Sequence, residues 1–181
     1  MLWITIPATE SFNETTEEFV YTKETTLQLE HSLVSLSKWE SKWHEAFLSP
    51  RSKKTEEQIL DYIRCMTITQ NVDPEIYNCL TKENFDQIQA YIDNPMTATT
   101  FSDRQHQKPN REIVTNELIY YWMVSYNIPV EFEKWHLNRL LTLIRVCSIK
   151  NAPPKKMSKR EIMSQNASLN AARRKALNSR G

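Results

Sequence analysis

Hydrophobic positions along this chain change period once. At the N-terminus they alternate: Leu2, Ile4 and Ile6 are separated by Trp3 and Thr5, and Pro7 ends the run. Phe19-Val20-Tyr21-Thr22 and Thr25-Thr26-Leu27-Gln28-Leu29 are rich in β-branched and aromatic residues, the composition of strands. A two-residue turn is disfavoured without glycine, so the polar stretch from Glu10 to Glu18 is expected to link them as an antiparallel pair. The pattern predicts a β-hairpin with strands at about 2–7 and 19–29.

From Leu33 onward the apolar residues recur every three or four positions, which is the period of a helix face. Leu36, Trp39, Trp43 and Phe47 predict one helix over 33–47, stopped by Pro50. Thr55-Glu56-Glu57-Gln58 has the form of a capping box and opens a second helix through Ile59, Ile63 and Met66. Asp73-Pro74 starts a short helix through Leu80. Thr81 caps another that carries Phe85, Ile88 and Ile92, and residues 94–110 read as a surface loop. Asn110 is expected to cap a helix carrying Val114, Leu118, Tyr121 and Trp122. Ile128-Pro129 breaks it and starts a last core helix with Leu137, Leu140, Leu141, Ile144 and Cys147 on one face. Each Leu or Ile buried there contributes about 1.5–3 kcal/mol. The expected class is mainly α with a small N-terminal β element (α+β): a helical bundle over 1–154, then a basic tail over 155–181. Asn151-Ala152-Pro153-Pro154 is the expected linker, and Ser158 to Glu161 a further capping box.

Composition narrows the chemistry. The chain has one glycine, Gly181. It therefore carries no Gly-rich phosphate loop and no dinucleotide fingerprint, and no nucleotide or other cofactor is expected. The net charge of +1 hides an asymmetry. Lys155, Lys156, Lys159, Arg160, Arg173, Arg174, Lys175 and Arg180 make the tail strongly basic, against the single acid Glu161, while the preceding residues carry an excess of acids. Such a tail suits a negative partner, but no aromatic interleaves its cations, so nucleic acid is disfavoured. No apolar run is long enough to span a bilayer, and the start MLWITIPATE does not read as a secretion signal. Cys65, Cys79 and Cys147 are expected to be reduced, buried thiols of a cytoplasmic protein.

Candidate catalytic groups do not converge. Glu133-x-x-His136 is half of a di-iron helix motif without a second copy, so no metal site is assigned. There is no Cys-x-x-Cys and no G-x-S-x-G elbow, and no enzymatic activity is expected. The Trp39-x-x-x-Trp43 pair, with Phe47 one turn on and Lys38, Lys42 and His44 beside it, admits two readings. It is either core packing or an aromatic anchor for a partner helix. Trp122 and Trp135 read as core.

Three blocks of sequence resemble a known group. They are Leu29-Glu30-His31-Ser32-Leu33 running into SLSKWESKWHEAFL, the segment CMTITQNVDP, and ELIYYWMVSYNIPVEFEKWHLNRLLTLIRVCSIKN with the following PPKKMSKREI. Together they resemble tail assembly chaperone-like proteins of long-tailed bacteriophages and prophages. The resemblance implies a non-enzymatic role in the host cell cytoplasm. Such proteins coat the tape-measure protein, keep it soluble and help recruit tail-tube protein. Self-association stays open. The alternatives are a structural or connector protein of the virion, or a small nucleic-acid binder acting through the basic tail.

Overall fold

The computed structural model describes residues 1–13, 18–49, 53–101, 113–153 and 159–178, and for residues 11–13, 18–20 and 161 the backbone alone. The alternating N-terminal segment forms a two-stranded ribbon in two parts. Strand β1 (Leu2–Ile6) pairs antiparallel with β4 (Thr25–Leu29), and β2 (Thr9–Asn13) pairs with β3 (Glu18–Thr22). The two ladders share one register: Leu2 lies opposite Leu29, and Asn13 opposite Glu18. The expected hairpin is thus present, but the described part of the 10–18 link is mostly strand, and the expected strand over 19–29 is split. Pairing with an aromatic, β-branched partner overrides the weak local preference of Thr9–Asn13. The split falls opposite Pro7, which has no N–H to give the ladder. On the inner face Ile4, Ile6, Leu27 and Leu29 are buried. The outer edge of β4 is covered by the chain after α2, where Ile68 N–H donates to Gln28 and Glu30 N–H to Met66.

Helix α1 (Leu33–Trp43) begins at a reciprocal Ser32–Ser35 capping box. It ends four residues before the expected Phe47, because His44 takes a left-handed conformation at φ 54° and closes the last turn with an N–H bond to Glu40. Pro50 lies outside the described residues. Helix α2 (Glu56–Met66) starts at the Thr55–Gln58 box, and α3 (Lys82–Asp93) at a Thr81–Asn84 box. Between them Pro74–Cys79 is a 3₁₀ turn whose first free N–H is taken by Asp73.

Helix α4 (Asn116–Ser125) starts later than expected, and Asn110 lies outside the described residues. The side chain of its cap residue Thr115 makes no capping bond to the helix backbone. The buried Glu40 carboxylate of α1 takes that role, accepting from Asn116 N at 2.8 Å and Asn116 Nδ2 at 2.6 Å. The inward face accordingly runs through Ile119 and Met123, and Tyr121 is 64% exposed. Pro129 does not join two long helices directly. A 3₁₀ turn, Val130–Lys134, and an extended residue intervene before α5 (Leu137–Asn151). On α5 the expected face is the observed one, with Leu137, Leu140 and Ile144 buried and Leu141 and Cys147 half-buried.

The core has two clusters that meet at α1. Trp39 joins the ribbon, α2, the 3₁₀ turn and α3, while Leu33 and Leu36 join α4 and α5. The three cysteines are free and half-buried, more open than expected. The chain divides into two compact units, Met1–Ser148 and Ile149–Gly181. The second contains α6 (Lys159–Leu177), all of whose described side chains are exposed. No helix among the described residues is long and apolar enough to cross a membrane.

Candidate functional site

After His44 the chain turns back on itself. Glu40 Oε1 accepts from Phe47 N at 2.8 Å, so the carboxylate that starts α4 also fixes this return. The Phe47 ring is thereby stacked on Tyr62 of α2 at 3.9 Å and set edge-on to Trp39 at 5.1 Å. Trp39 itself is fully buried and donates its indole N–H to the Gln58 carbonyl at 2.9 Å. It has no surface to offer a partner, which corrects the anchor reading for that residue. The reason is position: Trp39 sits where α1 crosses α2. Trp43 is half-buried, its Nε1 held by Asp61 Oδ2 at 2.8 Å, and Lys42 also pairs with Asp61.

Beside Phe47 lies a groove of about 370 Å³ between α2 and α3. Ile59, Tyr62 and Ile63 form one wall, Phe85, Ile88, Gln89 and Ile92 the other, with Phe47 and Lys54 at one side. Capping boxes at Thr55 and Thr81 fix where both helices begin, and so which residues face each other across the gap. Ile59 is 41% exposed, because no element among the described residues covers this wall. Of the expected partner-binding residues, then, Phe47 lines the groove and Trp39 supports its ring from behind. Trp43 is not among the lining residues. The expected inward positions Phe85, Ile88 and Ile92 were the visible signal of one wall. Tyr62 carried no periodic signal of its own.

A second constellation sits where the two core clusters meet. His31 Nδ1 lies 2.6 Å from Tyr62 Oη, and the His31 and His136 rings meet edge-on at 5.1 Å. His136 Nε2 lies 3.0 Å from the Tyr91 carbonyl, and Tyr91 O–H donates to Glu30 at 2.7 Å. Glu30 in turn pairs with the amino group of Met1 at 2.9 Å. Burial pushes the His31 pKa down to about 4, and the neighbouring His136 adds to the effect. Burial also lowers His136. Burial raises the Tyr62 and Tyr91 hydroxyls well above the usual phenol range. Each ring is neutral and engaged at neutral pH, so the cluster holds two halves of the body together. Glu133 is engaged elsewhere, accepting from Tyr120 O–H at 2.8 Å, which separates it from His136. Burial and this bond push Tyr120 up to about 12.

Trp122 and Trp135, expected in the core, are half-buried. Trp135 stacks on Phe132 at 3.9 Å, with the Arg139 guanidinium 3.9 Å from its ring centre. In the basic unit Lys159, Arg160, Arg173, Arg174 and Lys175 lie on α6 and are exposed. Lys155, Lys156 and Arg180 lie outside the described residues, as does Ser158. No family model, curated protein or solved structure matches this chain.

Proposed function

We propose that this protein covers apolar helical segments of another polypeptide, and that it acts as a tail assembly chaperone on a tape-measure protein. One observation carries the binding part of the reading: the groove between α2 and α3, apolar on both walls and open at Ile59. Two antiparallel or crossing helices that leave such a gap offer a seat for a third amphipathic helix. The resemblance described above supplies the identity of the partner. A tape-measure chain presents long apolar stripes that aggregate when uncovered, and many weak contacts along one chain gain from multivalency. On this reading the molecule transforms no substrate.

Co-expression with the tape-measure protein of the same phage tests it. The expected result is a soluble tape-measure protein that co-purifies with the intact chain and precipitates beside an Ile59→Arg variant. Ile59 is partly exposed, so that variant keeps its fold while placing a charge on the groove wall. Equal solubility with, without and with mutated partner overturns the reading. Mass spectrometry of purified particles separates a chaperone from a structural or connector protein, since only the latter stays at stoichiometric level.

A further inference from the structure

Among the described residues, one charged side chain lines the apolar groove. Lys54 Nζ stands 4.3 Å from the ring centre of Phe47 and 6.0 Å from that of Trp39. Its pKa is lowered by burial, a shift partly offset by Glu45 through space. Among the described residues no carboxylate forms an ion pair with it. An ammonium has three N–H donors, and ring faces satisfy charge without accepting conventional hydrogen bonds. Partial removal from water also makes a charge-assisted bond stronger than at an open surface.

We propose that the groove selects a helix whose apolar stripe ends in a carboxylate, an Asp or Glu that pairs with Lys54. The proposal rests on the groove reading above and names the partner's chemistry more narrowly. Helices α2 and α3 are about 17 Å long, so the seated segment spans roughly three turns. Its apolar residues fall at i, i+3 or i+4, and i+7, with the acid one turn beyond, at the Lys54 side. A basic residue there is rejected by like charge, which gives the groove specificity in addition to grease.

The test uses the full chain and three labelled helical peptides. They share one Leu/Ile stripe and differ only in Glu, Gln or Lys at its end. Fluorescence anisotropy is expected to show the Glu peptide binding roughly five- to tenfold more tightly than the Gln peptide, and the Lys peptide most weakly. Lys54→Glu is expected to invert that order, and Lys54→Met to erase it, with far-UV circular dichroism confirming the fold of each. Equal affinity of the three peptides, with binding still lost in Ile59→Arg, overturns the Lys54 assignment and leaves the groove reading standing. Absence of binding by all three, or binding indifferent to Ile59→Arg, overturns both.

Discussion

Acidification should weaken the fold through the buried histidine pair. His31 is 2% exposed and His136 is 6% exposed, and the two rings touch. The Nε2 of His136 faces a carbonyl, which only accepts, so the proton sits on Nε2 and Nδ1 is a bare acceptor. Among the described residues that Nδ1 has no hydrogen-bond partner. The charged groups that act on the pair are few: Asp93 favours protonation of His31, Glu30 favours that of His136, and the Met1 amine opposes it. None is bonded to either ring. An unfolded His titrates near 6.5 and folded His31 at about 4. The unfolded chain therefore binds the extra proton first, and stability is complete above about pH 6.5 and falls as pH drops toward about 4. At about 1.4 kcal/mol per pH unit, His31 alone accounts for a loss of about 3 kcal/mol. His136 adds to it in the same direction.

Urea unfolding across that range, for the wild type and for His31→Gln, measures the effect. Carboxylates also titrate at the acid end, so the quantity of interest is the difference between the two curves. The variant is expected to start about 1 kcal/mol less stable at neutral pH, where Gln replaces the ring against Tyr62 imperfectly. It should then lose less than the wild type on acidification, and the gap should close or reverse by about pH 4. Parallel curves over the whole range would show that the imidazole is not the titrating group and that the argument from burial fails.

Trp39→Ala should lower stability by about 3–5 kcal/mol, since it empties a fully buried site and removes the indole bond to the Gln58 carbonyl, whereas Trp43→Ala should lower it by about 1–2 kcal/mol. Thermal unfolding of both checks this, and equal losses would refute the placement of Trp39 in the core. Glu40→Ala should destabilise by about 3 kcal/mol, because Asn116 N and Phe47 N lose their acceptor together. Amide hydrogen exchange should then rise at both positions, and protection retained at either would show another acceptor. A chain ending at residue 153 should unfold cooperatively with the wild-type midpoint, because the compact unit closes at Ser148. Loss of a single sharp transition would tie the second unit to the first.

What was legible in the sequence was whatever a local rule decides. The Thr55–Gln58 box, the Thr81 cap and the Asp73-Pro74 start needed no more than four consecutive residues each, and each is present, at Thr81 with Asn84 completing a box the sequence rule does not ask for. The α5 face was equally plain, because Leu137, Leu140 and Ile144 repeat over a long element. The errors share a cause, which is a distant partner acting on a segment with no strong preference of its own. Thr9–Asn13 becomes strand because β3 lies opposite, and α4 starts at Asn116 because a carboxylate on α1 caps it.

The missing glycines show the same logic at single residues. Among the described residues, left-handed backbone is needed at His44, Asn71, Met96, Asn127 and Asn178. Asn reaches that conformation at small cost, and it fills three of the five positions. His44 and Met96 do so against a penalty of roughly 1 kcal/mol each, offset by tertiary structure at the first and by the Asn94 side chain accepting from Met96 N at the second. His44 is the position that matters for the groove. Had the helix run on to Phe47, that ring would have stayed on the α1 face, and neither the stack on Tyr62 nor the seat for Lys54 would exist. The groove is thus a consequence of one helix stop set by Glu40, a residue whose role depends on Asn116, 76 positions away. No window of sequence around Trp39, Trp43 and Phe47 contains that fact, which is why the aromatic pattern pointed to the right neighbourhood and to the wrong ring.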